Sequence, residues 1–206
     1  MESKGFFITF EGIEGSGKTT QAKLLADYLR SKNIPVLLTR EPGGSEISEK
    51  SREILINPKN TEMCAKTECL LYAASRAQHV EQVILPAIAS GKIVITDRFA
   101  DATLAYQGYG RRLPIEMLRR LNDFATGGLE PHLTFLLNLP VEIGLVRARK
   151  RKHNLDRLEQ EAIDFHRRVH DGYLEIAKQS HGRFKIIDAS NSIEIIHDEI
   201  KDCIRK

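Results

Sequence analysis

The chain has 206 residues, 41% hydrophobic and 29% charged, with a net charge of +3. That length suits one domain over 1–206 with a real buried core, and the charge is too small to draw the protein to nucleic acid or a membrane surface. No apolar run approaches the ~18 residues of a membrane span. The start, MESKGFFITFEG, is too short and turns charged too quickly to serve as a secretory signal. Cys64, Cys69 and Cys203 are odd in number and lack paired zinc spacing, so they read as reduced thiols of a cytoplasmic protein.

In chain order, FFITF (6–10) reads as a strand, 18–32 as a helix and VLLT (36–39) as a strand. Helices follow over roughly 46–56 and 64–90, then the strand IVITD (93–97) and helices over 101–107 and 114–126. LTFLLNL (133–139), a helix over 141–151, a helix over 157–180, FKIID (184–188) and a helix over 192–204 complete the chain. The strands are nearly continuously apolar, as strands covered on both faces must be. Their alternation with helices gives an α/β fold with a parallel sheet and helices on both faces. Ligands of such sheets bind beyond the carboxyl ends of the strands.

The first strand ends in GIEGSGKTT, and residues 12–19 fit G-x-x-x-x-G-K-[ST] in full. Gly12, Ile13, Glu14, Gly15, Ser16, Gly17, Lys18 and Thr19 thus form a phosphate-binding loop between a strand and a helix, the context that the motif demands. Its glycines let backbone N–H groups converge on one anion, and the helix adds its positive end. Lys18 is expected at the β- and γ-phosphates of a nucleoside triphosphate, and the Thr19 hydroxyl at Mg²⁺. No guanine-reading N-K-x-D stretch occurs, which argues against a switch GTPase. A kinase would need a second pocket facing this loop.

The other strand ends offer one. TREPGG (39–44) sets Arg40 in a tight loop that by itself reads as an ordinary Pro-Gly turn. Asp97 closes the strand IVITD, where a carboxylate for Mg²⁺, directly or through water, is expected. Arg98 follows and offers a planar fork to a phosphate, although a structural ion pair is the plainer alternative. Tyr72 and Arg76 share one helix face, and Thr103, Tyr106 and Gln107 another. Together they supply a ring to stack on and polar groups for the edge of a base, or else merely two amphipathic helices.

Taken in order, FEGIEGSGKTTQAKLL (10–25), TREPGG (39–44), LLYAASRAQHVE (70–81), DRFADATLAYQGYG (97–110) and LDRLE (155–159) resemble the bacterial thymidylate kinases over nearly the whole chain. The resemblance implies a doubly wound, five-stranded parallel sheet and a homodimer. It also implies transfer of the γ-phosphoryl of ATP to dTMP with Mg²⁺, for DNA precursor synthesis. By matching position, Tyr72 resembles the ring under thymine, Arg76 the group on a thymine carbonyl, and Thr103 and Gln107 the base-edge readers. Tyr106 resembles the ring that excludes a ribose 2′-hydroxyl. Arg98, with Arg40, resembles the holder of the acceptor phosphate, and Glu14 the carboxylate near the acceptor 3′-hydroxyl.

Residues 147–152 place five basic side chains in six positions. Some members of the family carry a catalytic arginine in the phosphate loop, but residues 13–16 here are Ile, Glu, Gly and Ser. The resemblance therefore implies a mobile lid over about 147–159, with Arg149 and Arg151 favoured, Arg147 a further candidate, and Asp156 and Glu159 as its positioning or sugar-side carboxylates. RKHN at 151–154 is longer and more basic than the family's usual link, so the choice among the arginines stays open. The run carries no aromatics, unlike a nucleic-acid arm. His166 and His170, spaced i, i+4 without a third ligand, read as surface-helix residues rather than a metal site. A kinase for another monophosphate, or a nucleotide-binding module with no acceptor, are the competing readings.

Overall fold

The structure is a computed structural model, and its described residues are 5–151 and 156–205. Strand β1 (Phe6–Glu11) is buried beyond Phe6 because its apolar residues face helices on both sides. Its one hydroxyl, Thr9 Oγ1, pairs with Thr134 Oγ1 of the neighbouring strand at 2.8 Å. Strands β2 (Val36–Arg40), β3 (Ile93–Asp97), β4 (Leu133–Asn138) and β5 (Phe184–Asp188) complete a parallel sheet of order β2-β3-β1-β4-β5. The order reverses at β1, so a crevice opens beyond its carboxyl end. Register sets Phe10 opposite Asp97, and Asp97 opposite Arg40, which aligns the functional ends of three strands.

Alternation along β1 assigns the two faces. Ile8 and Phe10 pack with Leu25 and Leu29 of α1 (Lys18–Ser31) and with Ile196 and Ile200 of α9 (Ile193–Arg205). Phe7 points the other way, into Val80, Ile84 and Phe99. On that same side Leu136 joins Phe165, Val169 and Tyr173 of α8 (Ile163–Gln179). Each such side chain, once fully buried, contributes about 1.5–3 kcal/mol. Helices α2 (Glu46–Ile56), α3 (Ala65–His79), α4 (Leu85–Ala89), α5 (Ala100–Thr103), α6 (Ile115–Thr126) and α7 (Val141–Arg151) fill the connections. No described helix is long and apolar enough to cross a membrane.

All five expected strands are present, within a residue at either end. The helices differ from expectation in three places. The helix expected over 64–90 changes to π geometry at Val80–Ile84, just before Pro86. A proline lacks the N–H for the regular ladder and crowds the preceding turn, which the wider turn relieves. The helix expected over 101–107 is α5 followed by a π turn over Leu104–Gly110. The helix expected over 157–180 begins only at Ile163. Before it, Asp156 N–H donates to Glu159 Oε2 (3.0 Å) and Glu159 N–H donates to Asp156 Oδ1 (2.9 Å). These reciprocal bonds close a separate turn, in the manner of a capping box. Arg157 N–H ties that turn to the Ile56 carbonyl (3.2 Å).

Candidate active site

The loop after β1 turns sharply into α1. Gly17 has φ 94°, a conformation that L side chains rarely adopt. A Cβ on Gly15 would lie 2.2 Å from the Gly144 carbonyl oxygen of α7, so only glycine lets the loop sit on that helix. Lys18 Nζ curls back to donate to the Ile13 carbonyl (2.7 Å) and Ser16 Oγ (3.4 Å). Burial first, then the nearby Arg98 charge, push the Lys18 ammonium down to about 8. A cation at the mouth of a ring of backbone N–H groups is equipped to receive a polyphosphate.

Beyond β3, Arg98 has φ 73°, unusual for a residue other than glycine. Such backbone costs about 1–3 kcal/mol and persists only where neighbours fix it. Here Arg98 N–H donates to the Phe10 carbonyl (2.9 Å), Phe99 N–H donates to Glu11 Oε1 (2.7 Å), and Thr96 Oγ1 donates to the Arg98 carbonyl (2.9 Å). The guanidinium is thereby aimed across the crevice. Its Nη1 donates to the Gly12 carbonyl (3.0 Å) and the Tyr173 hydroxyl (3.1 Å), and its Nη2 donates to Glu14 Oε1 (2.8 Å). Beside it, the Thr19 hydroxyl donates to Asp97 Oδ2.

Glu14 is the hub. Burial alone would raise its pKa, but the Arg98 guanidinium, the Lys18 charge and the Tyr106 hydroxyl pull against it, and the carboxyl is held well below the usual range. His166 Nδ1 lies 3.7 Å from Glu14 Oε2, too far for a direct hydrogen bond. The expectation of a surface position for His166 is wrong: it is 1% exposed, on the α8 stripe that carries Phe165, Val169 and Tyr173. His170 is half-buried and shares its Nε2 with Asn138 Oδ1 (2.9 Å). Among the described residues no group of metal-ligating side chains includes either histidine.

Farther along the same cleft, Arg76 is 2% exposed yet reaches its lining. It donates from Nε to Glu41 Oε2, from Nη1 to Thr103 Oγ1 and Asn122 Oδ1 (each 2.8 Å), and from Nη2 to the Phe99 carbonyl (3.0 Å). One Nη2 hydrogen is left. Tyr72, whose phenol burial pushes well up and keeps neutral, lines the cleft together with Thr103, Tyr106 and Gln107. Gln107 Nε2 donates to Glu68 Oε1 (2.8 Å).

Comparisons with known proteins give the family. A family profile described as "Thymidylate kinase" matches residues 10–200. The chain belongs to the thymidylate kinase family. It is 52% identical to the thymidylate kinase of Syntrophotalea carbinolica over 198 residues, covering 93% of this chain and 92% of that one. To the thymidylate kinase of Lactobacillus helveticus it is 50% identical over 205 residues, covering 98% and 97%. The crystal structure of thymidylate kinase from Ehrlichia chaffeensis superposes with a TM-score of 0.78 at 35% identity, over 97% of this chain and 98% of that one.

Against that family, the sequence-based candidates separate into two groups. Glu14, Gly15, Gly17, Lys18, Thr19, Arg40, Tyr72, Arg76, Asp97, Arg98, Thr103, Tyr106 and Gln107 all line the one cleft, as do Asp156 and Glu159. Gly12, Ile13 and Ser16 lie in the loop beneath it, with Ile13 in the core. Arg40 is held by its surroundings: Nη1 donates to the Pro42 carbonyl (2.7 Å) and Nη2 to both Glu49 oxygens (3.0 and 2.9 Å). Arg147 and Arg149 do not line the cleft. Arg147 Nη1 donates to the Ala189 carbonyl (3.0 Å), and Arg149 is exposed on α7. The Arg151 side chain and residues 152–155 lie outside the described residues.

Several members of the site had no signal that local pattern could supply. Arg52 of α2 lines the cleft and donates to the Pro42 carbonyl (2.9 Å), but in SREIL it reads as an ordinary solvated cation. Glu41 holds Arg76 and His79, and Glu11 holds the Arg98 turn. Both sit beside motif glycines or prolines that draw the eye first.

Proposed function

We infer that this chain transfers the γ-phosphoryl group of ATP to dTMP, giving dTDP and ADP. The observation that carries this reading is one cleft lined both by the cations Lys18 and Arg98 and by the ring and amide of Tyr72 and Gln107. That is the layout required to bring a nucleoside triphosphate and a pyrimidine monophosphate together end to end. Transfer between two polyanions depends mostly on positioning and neutralisation. The loop over 12–19 holds the ATP phosphates, with Lys18 on the outer ones. Arg98 grips the acceptor phosphate, exchanging its bond to Glu14 for a charge-assisted one. Arg40 and Arg52 add positive potential from the side. Tyr72 stacks on the base, Arg76, Thr103 and Gln107 read its edge, and Tyr106 occupies the space that a 2′-hydroxyl would need.

Thr19 and Asp97 supply two adjacent oxygen donors, which fits Mg²⁺, an ion that keeps water and phosphate oxygens as its remaining ligands. Bound there, it would neutralise charge between the phosphates. The segment over about 147–159 acts as a lid of this single kinase domain, bringing Arg149 and Arg151 over the transferring group and excluding water that would otherwise hydrolyse ATP. Exposed Ile54, Leu70 and Phe124 on the packed helices α2, α3 and α6 support a homodimer. Three free cysteines fit the reducing cytoplasm.

The test is a coupled assay of ADP release with Mg²⁺, ATP and each of dTMP, dUMP, AMP and shikimate. dTMP should be turned over fastest. A faster rate with another acceptor, or nucleotide binding without ADP production, replaces this reading.

A further inference from the structure

Glu68 has no place in the chemistry described so far, yet it is fully buried and heavily bonded. Its Oε1 accepts from Gln107 Nε2 (2.8 Å) and Arg111 Nε (3.2 Å); its Oε2 accepts from Arg111 Nη2 (3.0 Å) and lies 2.6 Å from Arg157 Nη2. Burial alone would favour its protonation, but the hydrogen bonds from Arg111 and Gln107 and the Arg157 charge hold the carboxyl below the usual range. An ionised carboxylate accepts hydrogen bonds and donates none. The amide of Gln107 must therefore turn its NH₂ toward Glu68, which leaves its carbonyl oxygen for the cleft that Gln107 lines.

We propose that Glu68 is a specificity-positioning residue: by taking the Gln107 amide nitrogen, it fixes a hydrogen-bond acceptor toward the base. The inference rests on the dTMP reading above and deepens it. Lining the same cleft, Arg76 has one Nη2 hydrogen with no partner among the described residues, since its other N–H groups serve Glu41, Thr103, Asn122 and the Phe99 carbonyl. The cleft thus offers the base both a donor and an acceptor. A pyrimidine with a 4-carbonyl and a hydrogen on N3 complements both. Cytosine would set its amino group against the Arg76 donor and its bare N3 against the Gln107 oxygen. Two like-for-like contacts, each leaving a buried polar group unpaired, reject it.

The test compares kcat/KM for dTMP and dCMP in the wild type and in Glu68→Gln. An amide at position 68 donates as well as accepts, so the Gln107 amide is free to turn over and offer its NH₂ to the base. The dTMP/dCMP ratio should fall by about tenfold or more. The change should appear in the KM of the acceptor while kcat and the KM for ATP hold within about threefold, and Glu68→Asp, still acceptor-only, should restore the preference for dTMP. An unchanged ratio in a cooperatively melting Glu68→Gln protein overturns the proposal. Should that variant not fold, Gln107→Leu replaces it: a dTMP/dCMP ratio within about twofold of wild type overturns the proposal equally, and a collapsed ratio supports it. Wild-type protein that ignores dTMP altogether defeats the functional reading itself, a result distinct from either.

Discussion

The Tyr106 hydroxyl donates to both oxygens of Glu14, at 2.7 and 2.8 Å. A residue of the π turn is thereby locked to the phosphate loop, and its ring lies 4.8 Å beneath the Arg98 guanidinium. Tyr106→Phe keeps the ring and loses the tie. It should lower stability by about 1–2 kcal/mol, seen as an earlier thermal transition, while still preferring dUMP to UMP. Tyr106→Ala should erode that preference. Equal discrimination by the alanine variant would remove Tyr106 from sugar recognition.

Tyr72 offers a ring face in the cleft. Stacking a base on an aromatic ring is worth about 1–3 kcal/mol, so Tyr72→Ala should weaken dTMP binding by roughly 5–150-fold. Tyr72→Phe should stay close to wild type, because the face does the binding. Titration calorimetry with dTMP distinguishes these outcomes, and an unaltered dissociation constant in the alanine variant would take Tyr72 out of the base pocket.

Arg149→Ala and Arg151→Ala, separately and together, should lower turnover far more than dTMP affinity, since the charge being stabilised develops in the transition state. An arginine in that role is worth about 10³–10⁵ in rate. Full turnover in the double variant would return the task to groups already in the cleft, with Arg98 first among them.

Glu11 gives a pH signature opposite to that of most acidic residues. Burial, then the Asp101 carboxylate, push it up from 4.5 to about 8, despite Arg98, Tyr173 and the Phe99 N–H pulling the other way. Between those values the folded protein holds a proton that the unfolded chain has released. Folding stability from this group is therefore present at low pH and declines as pH rises from about 4.5 to about 8. Glu11→Gln removes the titration. Its melting temperature relative to wild type should climb between pH 5 and pH 8.5, and a difference that stays flat across that range would contradict the assignment.

Much of the fold is legible in the chain because buried parallel strands have no polar face to hide: FFITF, IVITD and LTFLL are strands in sequence and in space. The phosphate loop is legible for the same reason, since its spacing and its flanking elements coincide. The π turns are not, because a shift of one hydrogen-bond register leaves no periodic trace, and only Pro86 hints at the first. His166 was recoverable: Phe165, Val169 and Tyr173 mark the inward stripe of α8, and His166 stands three residues before Val169. Glu68 and Arg52 were not, since their partners come from remote segments. Glu68 meets Gln107, Arg111 and Arg157, between 39 and 89 positions away, and nothing near TECLL announces them.

Gly15 and Gly144 approach backbone to backbone where the loop after β1 meets the helix bearing Arg147 and Arg149. Loop and arm consequently share a fulcrum. Any swing of α7 pivots against that loop, so a single methyl added at Gly144, 2.5 Å from the Glu14 carbonyl oxygen, would jack the two apart at their common hinge.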